Sequence, residues 1–135
     1  MQIVTVTGCF DILHSGHVKL LERASKLGNK LVVGLNSDRS VRALKGSERP
    51  VNSQFSRKKI IDSIRFVDEV LLFDNDTVTE FLLFLRPAIW VKGGYTMQTL
   101  NQTEVAVAQS IGCKIVLYPA IDNISSTKII AKLQR

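Results

Sequence analysis

The stretch IVTVTGCFDILHSGHVKLLERASKLG, residues 3–28, decides how this chain folds. Its opening, IVTVTG, is a short apolar run rich in β-branched residues and closed by a glycine, the pattern of a buried strand. The period then changes. Leu20, Leu21, Ala24 and Leu27 fall at i, i+1, i+4 and i+7 and form one apolar stripe, while Lys19, Glu22, Arg23 and Lys26 take the wet side. This predicts a helix over roughly 15–27, with Gly28 where a left-handed, helix-ending residue belongs. Between strand and helix lie both histidines of the chain, His14 and His17, with Gly16 between them.

Outward from this unit the same alternation repeats. KLVVGLN (30–36) reads as a second buried strand, followed by a short helix around 38–44 and the loop KGSERPVNS (45–53). Ser53 can cap a helix carrying Ile60, Ile61 and Ile64. DEVLLF (68–73) is a third strand, and Thr77 with Glu80 three residues on predicts a capping box for a helix through Leu85. AIWVKGG (88–94) is a strand ending in a glycine turn. A helix near 104–111, the strand KIVLYP (114–119) and the helix NISSTKIIAKLQR (123–135), with hydroxyl side chains at its start, complete the order. Alternating strands and helices predict an α/β fold: a doubly wound, Rossmann-like parallel sheet of five strands with helices on both faces. In such sheets ligands lie beyond the carboxyl ends of the strands, where strand order reverses. The 135 residues read as one domain, 1–135, and no internal repeat or linker interrupts them.

The composition bounds the function. Hydrophobic residues make up 45% of the chain, against disorder; 18 basic and 12 acidic side chains leave a formal net charge of +6, which suits an anionic ligand. Basic residues are spread along the chain without interleaved aromatics, so a nucleic-acid groove is not expected. Cys9 and Cys113 form no CxxC pair, which argues against a disulfide framework or a zinc site. MQIVTVTG is too short and polar for a signal peptide and no apolar run is long enough to span a membrane, so the expected location is the cytoplasm.

Residues three apart on a helix share a face, so His14 and His17 can point into one crevice. Gly16 leaves room for a phosphate, and the first-turn amides of the helix favour anions. Such a constellation suits phosphoryl or nucleotidyl transfer, which needs donors and positive charge around a phosphorus whose oxygens gain charge. The spacing alone leaves a metal pair or two surface residues open; the position after the first strand and at a helix start favours the ligand site.

GCFDILHSGH (8–17) resembles the signature of the cytidylyltransferase-like nucleotidyltransferases: G-x-F-D, a short spacer, then H-x-G-H. NSDRSVRALKGSERPVN (36–52), RKKIIDSIRFVDEV (57–70), LRPAIWVKGG (85–94) and ISSTKII (124–130) resemble further blocks of that family, in its order. Within the family the LKG…RPVN loop and VKGG favour the adenylyltransferase domain of ADP-heptose synthases; glycerol-3-phosphate cytidylyltransferases are the runner-up. The resemblance implies transfer of a nucleoside monophosphate from ATP to a sugar 1-phosphate, a heptose 1-phosphate, by direct in-line attack with release of pyrophosphate. It also implies Mg²⁺ bound through the triphosphate and no metal held by the protein itself. The alternatives are a CTP-dependent glycerol-3-phosphate enzyme and a non-catalytic nucleotide-binding module.

Residue by residue, the resemblance implies catalytic roles for His14, His17 and Lys45, the histidines stabilising the pentacoordinate phosphorus. It implies nucleotide binding by Gly8, Cys9, Phe10, Asp11 and Gly16 at the first strand's end, and by Arg57, turned toward phosphate. Lys92, Gly93 and Gly94 match the turn near the base, and Ser125, Ser126 and Thr127 the helix start that holds the β- and γ-phosphates. Asp38 is the acceptor-side candidate. The implied partners are a nucleoside triphosphate, a phosphorylated acceptor, a second copy of the chain in a homodimer and a separate sugar kinase upstream. One position departs from the pattern: the heptose branch carries an acidic residue directly after the two glycines, where this chain has Tyr95.

Overall fold

Strands form where large and β-branched apolar residues run uninterrupted. In the computed structural model, which describes residues 2–119 and 125–134, these are β1 (Ile3–Gly8), β2 (Lys30–Asn36), β3 (Glu69–Phe73), β4 (Ile89–Gly93) and β5 (Lys114–Tyr118). Between them lie α1 (Ser15–Ser25), α2 (Asp38–Lys45), α3 (Gln54–Asp62), α4 (Thr79–Leu85) and α5 (Gln102–Ser110), and α6 (Ser126–Leu133) closes the order. The strands pair in the order β3-β2-β1-β4-β5, every pair parallel. The doubly wound α/β sheet expected from the alternation is therefore the observed fold.

The strand period of two sorts the core into two layers. Val4, Val6, Leu31, Val33, Leu35, Val70 and Val91 face Leu21 and Ala24 of α1 and Ile61 of α3. Phe73 and Trp90 point the other way, onto Phe81 and Leu82 of α4 and Ala108 of α5. The indole N–H of fully buried Trp90 donates to Thr7 Oγ1 at 3.0 Å, so the largest side chain of the second layer is also polar-satisfied. Among the described residues no helix is long and apolar enough to cross a membrane.

Two local expectations are corrected, and a third is described only in part. Gly28 has no left-handed backbone, and α1 ends at Ser25 with Lys26 as a right-handed C-cap. What position 28 requires is space: a Cβ there would stand 2.7 Å from Gln2 O and from Val4 Cγ2, where the chain turns back under the sheet. Thr77 and Glu80 form no capping box. Val78 is the N-cap of α4 and makes no side-chain cap bond; Thr77 Oγ1 pairs with Thr79 Oγ1, and the Val78 amide donates to Glu104 of α5. A tertiary carboxylate has replaced the local one. Of the expected closing helix, residues 123, 124 and 135 lie outside the described residues. Ser125 caps α6, its hydroxyl accepting from the Lys128 amide at 3.1 Å.

The chain winds from β1 to β2 to β3 on one side, then returns past β1 to add β4 and β5 on the other. At this reversal the sheet splits. β1 and β4 are in register only over Val4↔Ile89, Thr5↔Trp90 and Val6↔Val91. Beyond that, Thr7 and Gly8 pair with β2 alone, while Lys92 and Gly93 pair with β5 alone. The carboxyl ends of the two central strands diverge and open a crevice between them.

Candidate active site

The crevice is a cavity of about 520 Å³. Gly8, Cys9, Phe10, Asp11, Gly16, His14 and His17 line it from the β1–α1 side, and Lys92, Gly93 and Gly94 from the end of β4. Lys45 reaches it from the last residue of α2, and Ser125, Ser126 and Thr127 from the start of α6. Fourteen of the sixteen residues singled out in the sequence thus border one space. Asp38 and Arg57 do not.

The β1–α1 turn is built by the histidines themselves. His14 is the N-cap of α1 and its Nδ1 accepts the Gly16 amide at 3.1 Å; His17 Nδ1 accepts the His14 amide at 3.3 Å. This is a capping box made of two imidazoles. The Gly16 amide, one of the first-turn amides expected to favour an anion, is therefore taken by the histidine that caps the helix. The bonding also sets the tautomer: a ring nitrogen that accepts an N–H carries no proton, so each neutral imidazole holds its proton on Nε2. The rings stack at 3.8 Å with 24° between planes, and Phe10 packs on His17 at 5.0 Å. Burial, with His14 adding to it, lowers the His17 pKa to about 4; burial lowers that of His14 too. The pair therefore presents two neutral N–H donors near pH 7. Phe10 holds a left-handed backbone (φ 47°) with its ring buried, a strained conformation of the kind that gathers at binding loops.

Positive charge surrounds these donors. Lys45, Arg49 and Lys92 line the cavity with them. Burial lowers the Lys92 pKa; Glu104 and Cys9 oppose that shift and Lys45 adds to it. The Lys92 ammonium lies 4.7 Å from the centre of the Tyr95 ring. Burial pushes the Cys9 thiol up, against the pull of Lys45, Arg57, Lys92 and Arg49, so Cys9 stands in the cavity as a thiol. At the far wall the Ser126 hydroxyl donates to Ile12 O at 2.9 Å and accepts the Ile12 amide at 3.3 Å, fastening the start of α6 to the β1–α1 turn. Among the described residues no cluster of three or more His, Cys, Asp or Glu converges as a metal site would require.

Arg57 lies off the cavity wall and is not a solvated helix residue. It is fully buried. Its Nη1 donates to Cys9 O and Asn36 O, both at 2.8 Å, its Nε to Asn52 O at 2.9 Å, and its Nη2 pairs with Asp38 at 2.9 Å. One guanidinium thus clamps the ends of β1 and β2 to the start of α3, and Asp38 is drawn behind the wall as its counter-ion. Arg49 was missed at the sequence level. Its Nε donates to Asp11 at 2.8 Å, and Asp11 also accepts the Val51 and Asn52 amides at 2.8 and 2.9 Å. Burial raises the Asp11 pKa, but the two amides and the Arg49 guanidinium outweigh it and hold the carboxyl below its usual value. The available signal was the R-P-V-N run itself, where an arginine precedes a proline that cannot continue a helix.

A family model described as cytidylyltransferase-like matches residues 5–132. The chain is 45% identical over 98% of its length to the bifunctional protein HldE of Campylobacter jejuni subsp. doylei, and 44% identical over 97% to HldE of Syntrophotalea carbinolica. It spans only 28% and 26% of those relatives. Among solved structures, the lipopolysaccharide core biosynthesis protein of Thermoplasma volcanium superposes with a TM-score of 0.72 at 28% identity, covering 89% of this chain and 96% of that one. Pantothenate synthetase of Thermus thermophilus shares the fold alone, with a TM-score of 0.72 at 13% identity over 96% of this chain and 61% of its own. With its histidine pair at the split of the sheet and a family match across nearly its whole length, this chain belongs to the cytidylyltransferase-like family of nucleotidyltransferases.

Proposed function

We propose that this chain transfers the adenylyl group of ATP to a sugar 1-phosphate, specifically a heptose 1-phosphate. The observation that carries the reading is the stacked His14–His17 pair, two neutral Nε2–H donors held at a cationic crevice. A phosphate oxygen of the acceptor attacks the α-phosphorus, the bond to the β-phosphate oxygen breaks, and pyrophosphate leaves in line with the attack. Charge grows on the equatorial oxygens as the phosphorus becomes pentacoordinate, and pre-oriented N–H donors stabilise that state more than the ground state. Imidazolium is not required, and the lowered His17 pKa supports the neutral form. Mg²⁺ arrives with the triphosphate as part of the substrate and neutralises its charge. The single carboxylate among the described cavity-lining residues, Asp11, is bonded to Arg49 and two amides, which fits a cation carried by the ligand rather than by a protein cage.

The kinship with HldE and the fold shared with a lipopolysaccharide core biosynthesis protein support a sugar acceptor. Tyr95, standing where the heptose branch has an acidic residue, favours a second reading in which the acceptor is another phosphate ester. The test is pyrophosphate release over a matrix of ATP, CTP, GTP and UTP against heptose 1-phosphate, hexose 1-phosphates and glycerol 3-phosphate. ATP with heptose 1-phosphate is the expected pair. Preference for CTP with glycerol 3-phosphate overturns it in favour of the runner-up, and nucleotide binding without turnover on any acceptor leaves a binding module.

A further inference from the structure

We propose that Arg49 is the acceptor-phosphate ligand of this site and that Asp11 is its positioning residue; this rests on the reaction proposed above. In-line displacement requires the attacking oxygen and the leaving pyrophosphate to lie on opposite sides of the α-phosphorus. One side is the start of α6, fastened to the β1–α1 turn through Ser126 and Ile12. In the sheet order β2 and β5, the strand that precedes α6, lie on opposite sides of β1, and on the β2 flank, in the segment after that strand, Arg49 lines the cavity. Asp38, the other acceptor candidate of that flank, is occupied by buried Arg57 behind the wall. Arg49 is the guanidinium left on this side of the cavity.

Its geometry suits a phosphate. The side chain is 13% exposed and fixed through Nε to Asp11, which is itself fully buried. Among the described residues the terminal nitrogens Nη1 and Nη2 make no hydrogen bond, the bond to Asp11 running through Nε alone. A guanidinium anchored at Nε and open at both terminal amines is a fork already oriented for bidentate binding, and little conformational freedom is lost when phosphate arrives. Asp11 also accepts the Val51 and Asn52 amides, and the Asn52 side chain donates to Asp11 O at 2.8 Å. One carboxylate therefore sets both the loop and the arginine it carries.

The test compares the wild-type chain with Arg49→Ala and Arg49→Lys by calorimetry. A hexose 1-phosphate is titrated in the presence of the α,β-methylene analogue of ATP, and the analogue is titrated alone. Thermal melting verifies that each variant folds; Arg49→Lys keeps a cation beside Asp11 if the alanine variant does not. Arg49→Ala is expected to weaken phosphate-ester binding by roughly 10- to 100-fold, the scale of a lost charged hydrogen-bond pair, with Arg49→Lys in between and analogue affinity within about two-fold of wild type. Equal loss of analogue affinity would place Arg49 on the triphosphate and overturn the proposal. So would unchanged ester binding in a folded variant, or no ester binding by the wild-type chain. Arg49-dependent ester binding in a chain that releases no pyrophosphate with any substrate pair would instead sink the proposed reaction and leave the ligand assignment standing.

Discussion

His17 is held at one nitrogen by the His14 amide, on one face by the His14 ring and on another by Phe10, so its remaining N–H has a fixed direction. A donor fixed before the reaction acts on charge that appears only in the transition state. Replacing it with alanine is accordingly expected to lower kcat by on the order of 10²-fold or more while the nucleotide KM changes little. Near-normal turnover in steady-state assays of His17→Ala would make the pair a helix cap and nothing else. Because burial brings its pKa to about 4, NMR titration of the imidazole should find it neutral at pH 6, where a free histidine is largely charged. The two histidines were legible as a pair because three-residue spacing and helical geometry are local. Their protonation was not, since it depends on which backbone amide each Nδ1 meets. Arg57 was legible only as a basic residue matched to a phosphate-facing position, and Arg49 was not singled out; only the folded chain brings four acceptors around one and leaves the other open to the cavity.

Elements hold their positions here through close approaches as much as through apolar area. Gly34 in β2 lies under α4, and a Cβ at that position would stand 2.7 Å from Phe81 Cε2 and 3.0 Å from Thr7 Cγ2. Ring and threonine are both packed, Phe81 in the second core layer and Thr7 against Trp90, so neither can withdraw without moving a neighbour. Gly34→Ala is expected to destabilise the fold by about 1–3 kcal/mol, read as a lower urea midpoint with unchanged slope. A shift near zero would mean that α4 slides freely over the sheet. This helix is also where reading the sequence failed. Thr77 and Glu80 have the spacing of a capping box, yet the α4 start takes its carboxylate from Glu104 of α5, twenty-six residues away. Strand and helix order survived such substitutions because periodicity is repeated over many residues, whereas a cap rests on one or two.

Across the whole molecule, the site's ionisable groups tie folding to pH. His17 has a lower pKa in the folded state than when free, so the unfolded chain binds more protons between about pH 6.5 and 4, and stability falls as pH drops through that window. The integrated effect is at most about 3 kcal/mol for that single group. Asp11, depressed in the folded state despite its burial, contributes stability above its unfolded pKa and loses it as pH falls through the lower folded value. Urea unfolding followed from pH 8 to pH 3 should therefore show a plateau, a decline beginning near pH 6.5 and a further loss below about pH 4. His17→Asn should reduce the first decline, leaving the part that the lowered His14 pKa contributes, and keep the second. An unchanged first decline in that variant would assign the proton uptake to another group.

Hydrophobic periodicity, which each segment carries within itself, was sufficient to determine the strands, the helices and their alternation. Alternation leads to a parallel sheet because parallel neighbours need crossover helices, and a parallel sheet carries its ligand at the carboxyl edge. The sequence by itself therefore determined the fold class and the edge on which His14, His17, Lys92 and Ser125 would gather. Tertiary structure alone decided where the sheet splits, because that depends on how far β1 and β4 remain in register. It also decided which cations face the crevice. Arg57 and Arg49 are eight residues apart in chemically similar surroundings, and what separates them is the set of carbonyls and carboxylates supplied by segments distant in the chain. Cys9 and Asn36 bring the acceptors that bury one, while Asp11 anchors the other by a single nitrogen.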